Sequence, residues 1–412
     1  MRTEGRGVWV VGVAGLALFL AWRVLAVNMA AHFVREPADD AAALQWAPRQ
    51  PQALLSLGAA SAAQDAGRAA GLVTQALRGN PASGLGYAAL ARLKEAQGDA
   101  VGAGLAMEAA SAMAPRRVDV QMEAAAFWMR RGNMERAMRH WDVALTFGTE
   151  LRPRMFPELL KLAENPARLP AFAPLLRQPV AWWPAFFEYA AGNAQRLETL
   201  HALFSLQAQG PNTATPAALR AFLGRLQREG QWVDAYFIWL NSLPKDQITT
   251  VGNLFNGGFE YRLSNAGFDW IADPVGQVLV ETAATHGSTG SRALHVVFRG
   301  SKTAYRHLRQ HLLLPPGTYH LRGRVRPESL ETAYGLQWVL RCAGGNEPQL
   351  AMSERFIGSD QWRHFSVAFS VPEADCDGQV LRLELAGRAA LDYEARGGIW
   401  FDDLSIEQQR LD

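Results

Sequence analysis

The sequence lacks the short motifs that identify most enzyme active sites. Its 412 residues contain no zinc-type spacing of Cys and His, no HExxH, no phosphate-binding loop and no GxSxG elbow. Gly84-Leu85-Gly86 is not a dinucleotide fingerprint, because no strand precedes it. A pair of carboxylates acting on a glycan stays open, since sequence does not show which acids meet in space. The acids that stay open are Glu260, Asp269, Glu281, Glu384, Asp402 and Asp403.

Lysine is scarce, and so is a surplus of either charge. Lysine occurs only at positions 94, 161, 245 and 302, so arginine carries almost all of the positive charge, a bias typical of GC-rich bacterial genomes. The formal net charge is +2 at pH 7, which provides no global field toward a polyanion and argues against nucleic acid as a partner. A chain of this length with 49% hydrophobic residues is long enough for two or three packed domains.

Long hydrophobic runs are also absent, apart from one at residues 8–27. A helix of about 20 residues spans a hydrocarbon core of about 30 Å, so this run predicts a single membrane anchor that contacts the lipid bilayer. Arg23 is its one charge and lies near the end of the run, where the side chain can reach the headgroups. A cleaved signal peptide is the alternative interpretation.

The charges on either side of this run predict its orientation. Arg2 and Arg6 precede it, whereas Glu36, Asp39 and Asp40 follow it. The positive-inside bias therefore leaves residues 1–7 in the cytoplasm and the body of the protein outside. In a Gram-negative bacterium the protein is then a single-pass protein of the inner membrane with its body in the periplasm.

Only two cysteines are present, Cys342 and Cys376. An oxidising compartment would let them form a disulfide, and two buried thiols are the alternative. Neither cysteine lies directly after the hydrophobic run, which excludes a lipoprotein anchor.

From residue 48 to 244, apolar residues recur at helical spacing with no β-branched runs, which predicts helix after helix. One pattern of small and bulky residues recurs, and the shift from Gly98 to Gly132 is 34 residues. The matching positions are Ala69, Val73 and Ala76; Gly98, Ala103, Met107 and Ala110; Gly132, Ala137, Trp141 and Ala144; and Gly230, Ala235 and Trp239.

These residues resemble the tetratricopeptide repeat (TPR), in which a glycine turns the chain between two paired helices and small alanines let the helices approach closely. The match covers 50–83, 84–117, 118–149 and 216–244, and is poor at 150–215, where several prolines predict degenerate repeats. The resemblance implies an α-solenoid whose concave surface binds a protein segment. It implies binding and not catalysis.

Five aromatic residues fall where the repeat pattern is weakest: Trp182, Trp183, Phe186, Phe187 and Tyr189. One interpretation is that they pack an irregular junction between helices. The other is an exposed patch on which a protein partner docks.

After residue 244 the pattern changes to period-two runs separated by Gly, Pro, Asn and Asp. The clearest predicted strands are 318–326, 334–342, 362–371, 380–385 and 398–406. Short strands without intervening helices predict an antiparallel β-sandwich of about 160 residues. Leu336, Trp338, Leu340 and Cys342 share one face of a strand, and 365, 367, 369 and 371 share one of another, so these faces are expected to form the core.

Four short motifs in this half occur in a characteristic order: NLFNGGFE at 253–260, GFDW at 267–270, GSTGSRAL at 287–294 and IWFDDL at 399–404. Together they resemble a carbohydrate-binding jelly roll of the galactose-binding type. Domains of this kind often hold one structural calcium ion, and the resemblance implies Glu260, backbone oxygens around Ser288, and Asp402 as its oxygen ligands. The alternative is that Glu260 and Asp402 only hydrogen-bond the loops.

Two basic rows lie on strands of this half. Arg322, Arg324 and Arg326 share one face with His320, and Tyr305, His307 and Arg309 share one with His311. If the two strands pair with these faces together, they form a cationic surface with an aromatic edge, where guanidinium groups bind the carboxylates of an acidic glycan. A solvated face is the alternative.

The predicted fold class is therefore α followed by β: one N-terminal transmembrane helix, a TPR-like α-solenoid and a C-terminal antiparallel β-sandwich. The predicted segments are a cytoplasmic N-terminus (1–7), the anchor (8–27), a juxtamembrane linker (28–47), helical repeats (48–244) and the sandwich (245–412).

This organisation predicts a non-catalytic scaffold of the cell envelope that binds a membrane-embedded protein through its repeats and an acidic or neutral saccharide, or another subunit, through its sandwich. Such a pairing of domains suits an accessory to synthesis, ligation or export of a surface polysaccharide. The rivals are a glycan hydrolase or lyase with a repeat adaptor, and a structural assembly factor without a glycan ligand.

Overall fold

The computed structural model describes residues 4–35, 39–212, 214–344 and 348–409. Arg2 and Glu36, two of the residues that predict the membrane orientation, lie outside this set. A helical N-terminal part precedes two antiparallel sheets, which confirms the predicted fold class. The chain divides into two compact units, Met1–Trp183 with Ser205–Asn212 and Pro184–Phe204 with Thr213–Asp412.

The first helix, α1 (Glu4–Arg35), contains one stretch that is long and apolar enough to cross a membrane, Val11–Arg35, with a hydropathy of 1.8. The helix continues beyond residue 27, where the sequence predicts the end of the anchor. A second helix, α2 (Asp40–Trp46), begins at Asp39, whose carboxylate accepts a hydrogen bond from the backbone of the first turn. Most of the predicted linker is therefore helical.

Six helices of the first unit form three consecutive pairs. They are α3 (Pro51–Ser61) with α4 (Ala66–Gly79), α5 (Gly84–Ala96) with α6 (Ala100–Met113), and α7 (Val118–Arg130) with α8 (Met134–Phe147). Asp65, Asp99 and Asn133 cap the second helix of each pair through side-chain oxygens. Gly98 and Gly132 make the tight turns before two of these caps with φ of +78° and +71°, values that glycine adopts without a steric penalty.

The positions that recur in the sequence are positions that the helices bury. Ala69, Ala103, Ala137 and Ala235 occupy one recurring position, and all four are completely buried. The later positions of the pattern are also buried, at Val73, Ala76, Met107, Ala110, Ala144 and Trp239. Trp141 is the exception and is half-buried. The methyl side chains of the four alanines let the helices of a pair approach closely, so the periodicity of the sequence reflects the packing of the helices.

The remaining helices are shorter or less regular. They are α9 (Arg152–Glu164), α10 (Phe172–Leu176), α11 (Trp183–Asn193), α12 (Leu197–Ala208), α13 (Pro216–Arg228), α14 (Trp232–Ser242) and α15 (Lys245–Ile248). The prolines between residues 153 and 179 fall at helix starts, at Pro157 inside α9, or between helices, as the degenerate pattern predicts.

The pair α13 and α14 belongs to the second unit together with the sandwich. Gly230 turns the chain between the two helices with φ of +75°. The indole of Trp239 contacts Phe255 and Phe268 of the segment before the first strand, with ring centroids 5.2 Å and 5.6 Å apart. These aromatic contacts hold the helix pair on the sandwich, although the pair carries the repeat pattern.

In the described part of the chain, ten strands form the sandwich. They are β1 (Ile271–Ala272), β2 (Val278–Ala283), β3 (Ala293–Lys302), β4 (Leu308–Leu312), β5 (Gly317–Thr332), β6 (Leu336–Cys342), β7 (Gln349–Met352), β8 (Arg363–Val371), β9 (Gln379–Leu385) and β10 (Glu394–Gln408). Sheet A has the order β1-β4-β9-β6-β7 and sheet B the order β2-β3-β10-β5-β8, with antiparallel pairing throughout. All five strands predicted from the alternation are present.

The core lies between the inner faces of the two sheets. Leu336, Trp338 and Leu340 of β6 lie in it with Phe365 and Phe369 of β8, as the alternation predicts. A disulfide joins Cys342, at the end of β6, to Cys376, in the loop before β9. The bond closes a loop around β7 and β8.

Candidate ligand-binding site

The basic row of β5 projects from the outer face of sheet B, because the alternate residues Tyr319, Leu321 and Val325 lie in the core. Both terminal nitrogens of Arg324 donate hydrogen bonds to one turn of the chain, to the carbonyl oxygen of Gly287 at 2.8 Å and to Oγ1 of Thr289 at 2.6 Å.

Arg326 and Arg322 also bind their own chain. Arg326 donates to the carbonyl oxygen of His286 at 3.1 Å and to Oγ1 of Thr285 at 2.7 Å. Arg322 forms an exposed ion pair with Glu407 at 3.0 Å. The three arginines predicted as ligand contacts therefore bind the turn at 285–289 and, through Glu407, strand β10.

Tyr305, His307 and Arg309 lie elsewhere, which corrects the expected common surface. Strand β4 pairs with β1 and β9 in sheet A, whereas β5 pairs with β10 and β8 in sheet B. Tyr305, just before β4, is buried in the core at 1% exposure, and this burial raises the pKa of its phenol. The two basic rows therefore lie on different sheets. The alternation of residues along a strand predicts which residues share a face, but it does not predict which strand pairs with it.

A cleft of about 750 Å³ lies in the second unit between α13 and the outer face of sheet A. Its sheet side includes Arg309, His311 and Arg382, which alternate with core residues of β4 and β9. Its helix side is built from small residues of α13, namely Ala217, Ala221 and Gly224. Because these positions are three or four residues apart, they form one face of the helix and leave room above the sheet.

Positive charge predominates in the cleft. Four arginines line it (Arg220, Arg228, Arg309 and Arg382), against the two carboxylates of Glu188 and Asp273.

Two of the four arginines are paired with acids. Arg309 forms an ion pair with Asp273, and Arg382 lies 3.6 Å from Glu384. Arg220 and Arg228 are exposed at the helix side, and neither forms a hydrogen bond or ion pair with the residues that the structure describes. These two guanidinium groups are therefore available to an anionic ligand.

His311 contributes a neutral polar group. Burial, reinforced by the positive charge of Arg309, lowers the pKa of His311 to about 4, so the ring is uncharged at neutral pH. Its Nδ1 is enclosed and has no hydrogen-bond partner in the described part of the chain. The ring lies 5.8 Å from the indole of Trp232, the first residue of α14.

Trp232 and the end of α13 both pack closely on the sandwich. Gly378, just before β9, lies so close that a methyl group there would be 2.3 Å from the indole. The amide of Gln227 donates to the carbonyl oxygen of Gly267 at 3.2 Å, which fixes the end of α13 on the sandwich. The cleft thus combines a fixed aromatic wall, two unpaired guanidinium groups and a volume within the range of small-ligand sites.

Most residues of this cleft could not be predicted from the sequence as ligand contacts. Of its residues, the sequence places only Arg309 and His311 on a predicted binding face, because α13 and α14 carry the repeat pattern of the helical half. The sequence contains one signal, since Arg220, Gly224 and Arg228 are spaced four residues apart and therefore lie on one face of a helix.

The residues predicted to hold calcium surround the glycine-rich turn at 287–292. Glu260 accepts hydrogen bonds from the hydroxyl of Ser291 and from the backbone N–H of Arg292. Asp402 is completely buried and accepts the backbone N–H groups of Thr289 and Asp403, both at 2.8 Å.

These contacts match the alternative in which the acids hold loops. The Ser288 hydroxyl bonds the carbonyl oxygen of Thr285 within the same turn. Among the described residues, no group of three or more His, Cys, Asp or Glu side chains is arranged to hold a metal ion. The side chain that reaches the oxygens of this turn is Arg324, so the residues present do not fit a calcium ion.

Two other carboxylates that the sequence left open have partners of their own. Asp269 is buried and accepts the backbone N–H groups of Ser264 and Trp270, both at 2.7 Å. Glu384 lies 3.6 Å from both Arg341 and Arg382. Asp269 thus stabilises a loop through backbone hydrogen bonds, and Glu384 forms ion pairs with two arginines.

The aromatic cluster at 182–189 is not an exposed patch. Trp182, Trp183, Phe186 and Phe187 are all completely buried, and Tyr189 is half-buried. The indole N–H of Trp182 donates to Asp142 at 2.9 Å. The docking interpretation is therefore wrong and the packing interpretation is correct, because these large side chains fill the space that the irregular helices leave.

The first unit has a groove of its own, with a volume of about 480 Å³, lined by residues of α6, α7 and α8. Arg136 forms an ion pair with Glu108 at 2.6 Å and lies over the ring of Trp128 at 4.3 Å. Arg139 and His140 also line the groove. Its surface is therefore polar and partly basic, with one aromatic wall.

No family model matches this chain, and no curated protein matches it. Among solved structures, a CBM4 structure is 13% identical over 38% of this chain and 99% of its own, with a TM-score of 0.29. The CBM22-1 xylan-binding domain from Paenibacillus barcinonensis Xyn10C is 16% identical over 35% of this chain and 87% of its own, with a TM-score of 0.26.

A third similar structure is TmCBM61 in complex with beta-1,4-galactotriose, at 19% identity over 39% of this chain and 99% of its own, with a TM-score of 0.26. The three are carbohydrate-binding modules, and at these identities and scores none of their ligands is carried over to this chain.

Proposed function

We propose that this chain is a membrane-anchored, non-catalytic binding protein of the bacterial envelope. Its second unit binds an acidic saccharide in the cleft between α13 and sheet A, and its helix pairs bind a protein partner. The observation that carries the proposal is the presence of Arg220 and Arg228, both without a partner among the described residues, at a cleft of about 750 Å³.

The chemistry of the cleft favours a sugar acid. A guanidinium group binds a carboxylate through two parallel N–H bonds. Arg220 and Arg228 are about 12 Å apart along α13, which suits acids on two sugar residues that are not adjacent in the chain of the glycan. Trp232 and Val380 add apolar edges to the lining of the cleft, although both side chains are nearly buried, at 7% and 2% exposure. The imidazole of His311 is neutral, so its Nδ1 can form a hydrogen bond with a sugar without adding a further positive charge to the cleft.

The non-catalytic part of the proposal is supported by the partners of the acids. Asp273 in the cleft is paired with Arg309, Asp269 and Asp402 accept backbone N–H groups, and Glu281 lies 3.4 Å from His295. A glycan hydrolase needs one carboxylic acid with a raised pKa and a second carboxylate on the other side of the bond. A hydrolase remains the rival function.

The first unit is proposed to be a set of TPR-like repeats that binds a segment of a membrane-embedded protein. Its repeating positions are buried in three helix pairs, and the groove beside Trp128 and Arg136 has the size and polarity for an extended peptide. With α1 as an anchor and the body in the periplasm, this partner is an enzyme or transporter of surface polysaccharide synthesis, ligation or export.

Saccharide binding is tested by calorimetry on the full chain in detergent. Oligogalacturonides and alginate oligomers are expected to bind, whereas the neutral sugars β-1,4-galactotriose and xylohexaose bind more weakly. The double variant Arg220→Ser/Arg228→Ser is expected to lose at least about tenfold in affinity, because each charge-assisted hydrogen bond contributes about 1.5 to 3 kcal/mol.

The matched control is Arg154→Ser, an exposed arginine of α9 in the first unit. Equal affinity of the double variant and this control would overturn the assignment of the cleft. Tighter binding of the neutral sugars would overturn the acidic class of ligand, and cleavage of any oligomer would favour the hydrolase.

The protein partner is tested by cross-linking the full chain in intact membranes and identifying the bound proteins. A membrane-embedded glycan enzyme or transporter is expected to cross-link to wild type and to Arg154→Ser, and to be lost from Arg136→Ser/Arg139→Ser. A cross-linked protein that is equally retained by that double variant would count against the groove.

A further inference from the structure

The turn at 285–289 directs several oxygen atoms at one side chain. The carbonyl oxygen of Gly287 and Oγ1 of Thr289 accept hydrogen bonds from Arg324 at 2.8 Å and 2.6 Å. The carboxylates of Asp403 and Asp402 lie 3.6 Å and 3.9 Å from the same guanidinium group. A carbonyl, a hydroxyl and two carboxylates around one cation are the kinds of ligand that a calcium site uses.

The arrangement needs a positive charge. Asp402 is completely buried and directly precedes Asp403, so two negative groups lie side by side at the base of the turn. Carboxylates are stable in such a place only when a cation and hydrogen-bond donors compensate them. Arg324 supplies the cation, and its side chain is only 19% exposed.

The guanidinium group is also covered. Trp362 lies over it with 5.0 Å between the central carbon of Arg324 and the ring centroid, and its indole N–H donates to the carbonyl oxygen of His286 at 3.0 Å. Gly287 has φ of +80°, and a methyl group there would be 2.8 Å from the indole. The turn, the arginine and the tryptophan therefore fit together as one unit, in which only glycine allows the contact.

We infer that Arg324 takes the place of the structural calcium ion expected in this type of sandwich, as a cation built into the chain. The sandwich is then stable without a divalent metal, and its Gly-rich turn is held independently of the calcium concentration around it. This inference does not depend on the ligand of the cleft, which lies on the other sheet.

The test begins with the wild-type full chain in detergent. Its unfolding midpoint is expected to be the same in excess EDTA and in millimolar Ca²⁺, with no heat of Ca²⁺ binding. Arg324→Ser is expected to lower the midpoint by more than about 4 °C, because two charge-assisted hydrogen bonds and the compensation of two carboxylates are lost. Millimolar Ca²⁺ is expected to restore part of that loss, and Mg²⁺ less.

The matched control is Arg322→Ser, on the same strand and face, whose ion pair with Glu407 is exposed. It is expected to change the midpoint little and to show no response to Ca²⁺. If Arg324→Ser does not fold, Arg324→Lys takes its place, with a smaller loss and no response to Ca²⁺, because a cation is still present.

Three results would overturn the inference. The first is a wild-type midpoint that falls in EDTA and recovers specifically with Ca²⁺. The second is an Arg324→Ser midpoint equal to that of Arg322→Ser. The third is a destabilised Arg324→Ser that Ca²⁺ fails to restore, which would reduce Arg324 to a loop contact unrelated to a cation site.

Discussion

The indole of Trp400 lies flat on the imidazole of His295, with ring centroids 3.8 Å apart and ring planes inclined by 5°. The two residues are register partners on β10 and β3, on the outer face of sheet B. The indole N–H donates to Glu328 at 2.9 Å, so the stack joins three strands. The polar and aromatic side chains on the outer face of sheet B thus contact one another, and for this reason we propose the ligand site on sheet A.

Trp400→Ala is expected to lower the free energy of unfolding by about 3 to 5 kcal/mol, the usual cost of removing a large buried aromatic side chain. The affinity for acidic saccharides is expected to stay unchanged in protein that remains folded. Urea unfolding and calorimetry measure the two effects. A loss of affinity without a loss of stability would move the ligand to sheet B.

Gly378→Ala is expected to weaken saccharide binding, because the added methyl group would be 2.3 Å from the indole of Trp232 and must displace it. Stability is expected to fall by about 1 to 3 kcal/mol as in other overpacked sites. Gly192→Ala is the control, since nothing lies within 4 Å of a methyl group there. Unchanged affinity in Gly378→Ala would remove Trp232 from the binding surface.

His311 is expected to make the protein less stable in acid. Its pKa is lowered to about 4 in the folded chain, against about 6.5 for an exposed histidine, so the unfolded chain binds a proton first as the pH falls. The contribution to stability is fully present above about pH 6.5 and is lost as the pH falls toward the folded pKa.

His311→Gln is therefore expected to show a smaller loss of stability than wild type between about pH 7.5 and 4.5 in urea unfolding followed by tryptophan fluorescence. His364→Gln is the control, because this side chain is exposed. Parallel pH profiles of wild type and His311→Gln would show that the ring is not buried in its neutral form.

The disulfide is expected to contribute about 3 to 4 kcal/mol, from the loop entropy of a sequence separation of 34 residues. Cys342→Ala/Cys376→Ala is expected to lose this amount in urea unfolding without reductant, and wild type in dithiothreitol is expected to match the double variant. A double variant as stable as oxidised wild type would show that the bond adds nothing to the folded state.

Ala103→Leu is expected to lower the free energy of unfolding by about 1 to 3 kcal/mol or more, because Ala103 is completely buried between α5 and α6. Ala112→Leu in the same helix is the control, since its side chain is exposed. Equal stability of the two variants would mean that the helix pair is not closely packed at the recurring alanine.

The sequence predicts local structure well where one signal dominates. The alternation of Leu336, Trp338 and Leu340 identifies both a strand and its inner face, and the recurrence of Ala69, Ala103 and Ala137 identifies buried positions, because each pattern reports contacts made every second or every third to fourth residue. The pairing of β4 with β9, some 70 residues later along the chain, leaves no such trace.

The candidate site was harder to predict for the same reason. Arg324 and Arg309 look alike on their strands, yet one binds a turn and the other lines a cleft, and the difference depends on segments distant in the sequence. Trp232 begins a helix that carries the repeat pattern, and nothing in that pattern indicates its contact with His311. Sequence patterns report how a residue packs within its element, whereas a cleft is formed by elements that meet from elsewhere.

The C-terminal part of α1 packs against α2. Residues 28–35 continue the helix, α2 packs against it where Ala26, Ala30 and Ala43 are buried, and the indoles of Trp22 and Trp46 lie 5.9 Å apart. With residues 8–27 as the anchor, as the sequence predicts, Ala26 and Ala30 lie at the end of the span, and this joint would lie at the membrane surface. With that anchor, the packing of α2 against α1 would set how far the helix pairs that follow stand from the bilayer.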